Sequence, residues 1–135
     1  MKLTINTDGG ARGNPGPAAI GIVIRDAKKK IVFQTGKYIG ETTNNQAEYQ
    51  AVVFAFEKAL ELGATELEFN LDSELVVKQL NHEYKVKNQE LAQQFLKIWN
   101  LQNKVKQVVY KHVYREANKE ADELVNEALD NQSKK

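Results

Sequence analysis

Four acids stand out by type and setting: Asp8 in NTDGG, Glu48 in TTNNQAEY, Asp72 in NLDSEL and Asp122 in NKEADEL. Their intervals are 40, 24 and 50 residues, and none has a basic partner at i,i+4 within a helical pattern, since Arg12, four residues after Asp8, lies in a Gly-rich segment. Acids this far apart, each at the end or flank of a regular element, point to a site that only the fold assembles. Gathered carboxylates repel one another and need cations, and the usual cation is a hard divalent metal such as Mg²⁺. Metal-assisted phosphoryl chemistry is the leading idea. Each acid alone also has an ordinary reading: Asp8 and Asp72 as turn residues, Glu48 and Asp122 as acids favoured near a helix N-terminus.

The elements that must position these acids can be read from periodicity. Residues 2–7 (KLTINT) alternate, with Leu3 and Ile5 on one face, and predict a strand that Asp8 closes. GGARGNPGP is rich enough in Gly and Pro to predict a loop, and the Gly9-Gly10 pair leaves room for a substrate backbone or metal. AAIGIVIRD and IVFQTGKYIG are two more strands, joined by a polar turn at residues 26–30 to make an antiparallel meander. Thr43 and Gln46 match a capping box that opens a helix running to about Leu62, with Gly63 as its stop. TELEFNLD alternates as a fourth strand, and Ser73 caps a short helix, ELVVKQLN. Residues 88–103 place Leu91, Phe95, Ile98 and Trp99 on one helical face, expected to be core. KQVVYKHVY is a fifth strand, and Asn118 or Glu116 opens a last helix with Ala121, Leu124, Val125 and Ala128 inward. The order βββαβα(α)βα, without repeat or linker, predicts one α/β domain over residues 1–130 with a mixed five-stranded sheet, its first three strands antiparallel, and flanking helices. Residues 131–135 are expected to be a disordered tail.

Composition narrows the class without choosing a function. A chain of 135 residues, 41% apolar and 27% charged, can bury a core of its own. The absence of cysteine excludes disulfides and thiolate zinc sites, and two histidines do not make a typical structural zinc site. MKLTINT has no apolar h-region and no run reaches membrane-spanning length, so the expectation is a cytoplasmic protein without membrane contact. No protein partner is implied, and a monomer is expected. Net charge is only +1, but clustered acids would cancel basic residues elsewhere, among them the lysines at 28–30, 85, 87, 104 and 106.

Taken together, TDGGARGNPGPAAIG, TTNNQAEYQAV, LDSELVV and ANKEADELVNEA resemble, in order and spacing, the four signature segments of type 1 ribonuclease H. The resemblance covers nearly the whole chain, and the element order inferred above is that family's order. It implies a metal-dependent endoribonuclease that hydrolyses the RNA strand of an RNA–DNA hybrid, leaving 5′-phosphate and 3′-hydroxyl ends. By the same resemblance Asp8, Glu48, Asp72 and Asp122 hold two Mg²⁺ ions, or Mn²⁺ in their place. One ion activates the attacking water and the other stabilises the departing ribose oxygen. Gly10, Ala11, Arg12, Gly13, Asn14, Asn45, Gln46 and Ser73 correspond to substrate-binding positions, several of them readers of the 2′-hydroxyl and minor groove. Thr43 with Asn14 resembles a pocket for a DNA-strand phosphate, a role that competes with the helix cap for the Thr43 hydroxyl.

Two departures from the best-known bacterial pattern stand out. The basic helix and loop after the third acid are missing, with only Lys85 and Lys87 in that interval, which implies weaker and more salt-sensitive hybrid binding. A basic, aromatic hybrid-binding module at the N-terminus, present in many eukaryotic relatives, is not expected here either. The family's loop histidine is the second difference. His112 lies within the strand-like KQVVYKHVY, whereas Arg115 stands in the short loop YREAN, as in archaeal-like members, so Arg115 is taken as the catalytic helper. His82 reads as a surface residue. Other nucleases or strand-transfer enzymes of the same fold, a side activity on double-stranded RNA, and a silent hybrid-binding domain are the alternatives.

Overall fold

The computed structural model describes residues 1–134. Its elements in chain order are β1 (Lys2–Ala11), β2 (Gly16–Arg25), β3 (Ile31–Thr42), α1 (Asn44–Glu61), β4 (Glu66–Leu71), α2 (Glu74–Leu80), α3 (Gln89–Gln102), β5 (Gln107–His112), a 3₁₀ turn (Arg115–Asn118) and α4 (Lys119–Ser133). The strands form one sheet in the order β3-β2-β1-β4-β5. β1 pairs antiparallel with β2 and β2 with β3, whereas β4 lies parallel to β1 and β5 parallel to β4. The mixed sheet and the element order are those that the alternation and cap signals predict.

Alternation along β1 divides the molecule into two faces. Leu3, Ile5 and Gly9 point toward α1, and the alanines of that helix at 47, 51, 55 and 59 are fully buried. Four alanines at i,i+4 spacing make one flat stripe, which lets the helix axis approach the sheet closely. At Gly9 an added Cβ would collide with the Ala47 carbonyl carbon, so the residue is glycine to admit α1. On the other face α4 presses equally hard: a Cβ at Gly21 would strike the Ala121 carbonyl oxygen. Phe69 of β4 fills the space between Phe56 of α1 and Tyr110 of β5, with both ring centroids 5.5 Å away. Full burial of a side chain of this size contributes about 2–3 kcal/mol.

The local signals at helix ends are realised. Thr43 Oγ1 accepts a hydrogen bond from the Gln46 N–H (3.2 Å), and Ser73 Oγ accepts from the Val76 N–H (3.3 Å). Gly63 follows α1 with φ of 88°, the left-handed conformation of a helix stop. At residues 26–30 Asp26 Oδ1 accepts from the Lys28 and Lys30 N–H groups, closing the expected polar turn.

Four local expectations are corrected. The segment from Gly9 to Pro17 is mostly strand: β1 continues to Ala11 and β2 starts at Gly16, leaving a tight turn at 12–15 closed by the Arg12 N–H donating to the Pro17 carbonyl (2.8 Å). Gly9 is there to admit α1, whereas Gly13, with φ of 106°, and Gly16, against the Arg12 carbonyl, serve the turn. Because β1 runs on to Ala11, Asp8 sits within it and does not end it. Trp99 is 46% exposed, because α3 buries Leu91 and Ile98 and turns its next residue outward against the His82 ring. β5 stops at His112, leaving Tyr114 exposed. α4 continues through Ser133, past the expected boundary at 130, with the Ser133 hydroxyl donating to the Asp130 carbonyl (2.9 Å); Lys135 lies outside the described residues.

Candidate active site

The sheet places two of the acids side by side. β1 and β4 run parallel with Thr7 opposite Leu71, so the next step along each strand brings Asp8 beside Asp72. Glu48 reaches the same point from one turn inside α1, and the close contact at Gly9 fixes how near it comes. One oxygen from each of Asp8, Glu48 and Asp72 lies within 4.8 Å of the others. Asp122 enters from the first turn of α4, on the opposite face of the sheet, and faces the Asp8 carboxyl closely enough to raise its proton affinity. Two helices packed on opposite faces thus deliver an acid each to the pair held by the strands.

The cluster is tense without a counter-charge. Asp8 is pushed up to about 7, first by burial and then by the charges of Asp72 and Asp122. Glu48 is raised well above the ordinary carboxylate range, again first by burial and then by Asp8 and Asp72, with the Gly9 backbone offsetting part of the effect. Glu48 Oε2 is buried and lacks any hydrogen-bond donor. A buried carboxylate oxygen without a donor is costly in a protein interior unless a cation satisfies it. An all-oxygen donor set of this kind fits a hard divalent ion.

These acids line a cleft of about 640 Å³ whose other walls come from the β1–β2 turn, the start of α1, Ser73, Arg115 and one face of α4. Of the residues expected to meet substrate, Gly10, Ala11, Arg12, Asn45 and Ser73 line it. Gly13, Asn14 and Thr43 lie outside that wall, on the turn and at the α1 cap. Gln46 is buried within α1, away from the wall. Arg115 opens onto the cleft, whereas His112 packs edge-on against Tyr114 at 5.5 Å and does not line it. The Ala11 N–H is already donated to Asn44 Oδ1 (2.8 Å), so it has no hydrogen left for a ligand. Thr43 Oγ1 accepts within the cap, which leaves its proton free to donate; the two roles assigned to that hydroxyl are compatible.

Three residues of the site had no role assigned from sequence. Asn44 accepts from the Ala11 N–H and gives its own N–H to Asn14 Oδ1 (3.0 Å), tying the turn to the start of α1. Asn126 lines the cleft from α4. Asn118, read only as a helix opener, is 1% exposed and makes no cap hydrogen bond. The doubled Asn in TTNNQ is the local signal for Asn44; Asn118 has none, because its partners lie 46 and 111 residues away.

Comparison with known proteins gives the same fold. The family profile described as "Reverse transcriptase-like" matches residues 6–128. A bifunctional protein of Mycobacterium tuberculosis is 40% identical over 131 residues, 96% of this chain and 36% of that protein. The chain therefore spans about a third of that relative's length. The crystal structure of RNase H1 from Halobacterium salinarum superposes with a TM-score of 0.94 at 39% identity, covering 97% of this chain and 99% of that one. LC11-RNase H1, solved in complex with an RNA/DNA hybrid, superposes at 0.92 with 47% identity, covering 96% and 98% of the two chains.

Proposed function

The chain belongs to the type 1 ribonuclease H family, and from that premise we propose that it is a metal-dependent endoribonuclease that cuts the RNA strand of RNA–DNA hybrids, leaving 5′-phosphate and 3′-hydroxyl ends. The observation that carries this reading is the convergence of Asp8, Glu48 and Asp72 within 4.8 Å around an orphaned carboxylate oxygen, at the floor of an open cleft. Hybrid as substrate is supported by the complex of LC11-RNase H1 with an RNA/DNA hybrid.

Asp8, Glu48, Asp72 and Asp122 would hold two Mg²⁺ ions, with Mn²⁺ as a substitute. Bound there, a metal pair supplies Lewis-acid stabilisation of the charge that develops on the attacking and leaving oxygens of an in-line displacement. The protein's own groups orient and select. The backbone of Gly10 and the side chains of Asn45 and Arg12 edge the cleft where a hybrid's minor groove would pass. Only a 2′-hydroxyl distinguishes the RNA strand there, and an amide side chain can both donate to it and accept from it. Asn14 and Thr43, outside the cleft wall, would meet a phosphate of the other strand; the Asn14 Oδ1 and Thr43 Oγ1 only accept within the protein, which supports an amide and a hydroxyl proton left to donate. Arg115 brings a permanent positive charge to the cleft, suited to steady the leaving group. The chain is proposed to act as a cytoplasmic monomer; no helix among the described residues is long and apolar enough to cross a membrane.

The direct test is cleavage of a strand-labelled hybrid in Mg²⁺, Mn²⁺ or chelator, with duplex DNA and double-stranded RNA as comparison substrates. Cuts confined to the RNA strand of the hybrid and dependent on metal are expected. Equal cleavage in chelator, or none with either metal, would overturn the proposal.

A further inference from the structure

Asn118 stands at the position before α4 where an asparagine ordinarily caps the helix with its side chain. Here the cap is absent, although its loss costs a helix roughly 1 kcal/mol. The side chain is instead turned into the acid cluster and almost completely buried. Its Nδ2 donates to the Thr7 carbonyl (2.8 Å), next to Asp8 in β1, and to Asp72 Oδ2 (3.2 Å), at the end of β4. Its Oδ1 accepts from Asn6 Nδ2 (3.0 Å), which also reaches the Ala117 carbonyl (3.4 Å). Both partners of the Nδ2 group can only accept, and the partner of Oδ1 donates, so the amide has one orientation that satisfies every contact.

We propose that Asn118 is a positioning residue for the metal site: one amide holds the Asp72 carboxylate, the Asp8 strand and the start of the Asp122 helix in a single register. The inference rests on the reading of these acids as metal ligands. A carboxylate hydrogen-bonded through one oxygen is fixed in rotation and keeps the other for a cation. Asp122 lies one turn beyond Asn118 on α4, so the same bonds set where that fourth acid enters. Giving up a local cap for a contact at the site is the exchange expected where function outweighs helix stability. No aliphatic side chain could satisfy these groups. An aspartate would set a third carboxylate oxygen against Asp72 and the Thr7 carbonyl.

The test compares wild type with Asn118→Asp, Asn118→Ala and Asn6→Ala. Mn²⁺ affinity of the free protein, followed by paramagnetic resonance, is the primary readout; hybrid cleavage and melting in chelator accompany it. Loss of a partner that orients a metal ligand typically weakens metal binding or activity 10- to 100-fold. Asn118→Asp and Asn118→Ala are expected to raise the Mn²⁺ dissociation constant within that range and to lower kcat in proportion, with KM for hybrid within about twofold. Asn6→Ala keeps the amide but loosens it, and a several-fold weakening in the same direction is expected; it carries the test with Asn118→Asp if the alanine variant does not fold. Lower melting temperatures with unchanged Mn²⁺ affinity and unchanged kcat per folded molecule would reduce Asn118 to a structural role and overturn the proposal. If wild type binds Mn²⁺ no better than Asp72→Asn does, the metal-site reading itself fails, and this inference with it.

Discussion

In the absence of metal, replacing Asp8 by asparagine should stabilise the protein, and more so as the pH rises. The Asp8 carboxyl moves from an ordinary 3.8 to about 7 on folding, through burial first and the charges of Asp72 and Asp122 next. A group whose proton affinity is higher in the folded chain contributes stability that is complete below about pH 4 and is lost as the pH climbs through 7. At 1.36 kcal/mol per tenfold, the full displacement corresponds to roughly 4 kcal/mol. Glu48 titrates in concert with Asp8, so a single substitution recovers about half, near 2 kcal/mol. For a domain of this size that is a rise of about 6–8 °C in Tm. The assay is thermal melting of wild type and Asp8→Asn in chelator at pH 4 and pH 8, read as the difference between the two proteins. That difference cancels the carboxylates remote from the cluster, which both proteins share. We expect it to be within about 2 °C at pH 4 and about 6–8 °C in favour of the variant at pH 8. Millimolar Mg²⁺ should reverse the order, because only wild type gains the binding free energy. A difference that stays constant between the two pH values, or that favours wild type at pH 8 in chelator, would refute the argument.

Further outcomes follow from the same geometry. Asp72→Asn should lower kcat on hybrid by at least about 10²-fold in Mg²⁺ while the folded structure persists by circular dichroism, since losing a metal ligand forfeits several kcal/mol of transition-state stabilisation. Arg115→Ala should reduce kcat by about 10- to 100-fold, whereas His112→Ala should stay within about twofold, because only Arg115 opens onto the cleft; equal effects in steady-state kinetics would remove the distinction. Gly21→Ala drives a methyl into the Ala121 carbonyl oxygen, a backbone atom that can yield only if α4 moves. A loss of about 3 kcal/mol, measured by denaturant unfolding, is expected, with a fall in activity because Asp122 is the next residue along that helix.

What could be read from the sequence was whatever is encoded within a turn or two of the residue concerned. Thr43 and Ser73 announce their helices, and the alternation in TELEFNLD fixes which side chains of β4 face inward, because cap and pleat are local geometry. The Gly-rich stretch after Asp8 reads as a loop by the same local logic. Gly13 and Gly16 fit that reading, but Gly9, like Gly21 in the next strand, makes room for a helix, and no local pattern distinguishes that demand from a turn's. Helical periodicity places Trp99 on the face of Leu91 and Ile98 but does not say how deep that face sinks. The four acids were recognisable by their surroundings. Asn118, whose hydrogen bonds span the whole fold, was visible only as a cap it does not make.

The route by which the acids meet has a consequence for the life of the chain. No segment shorter than the 115 residues from Asp8 to Asp122 contains the full set, and the last of them arrives on α4. During synthesis the chain therefore carries no complete cation site until that helix has emerged and docked against β1 and β2. If the proposed activity holds, a growing polypeptide would be kept inert by topology until that step. Nuclease activity, once measured, would serve as a reporter of finished folding.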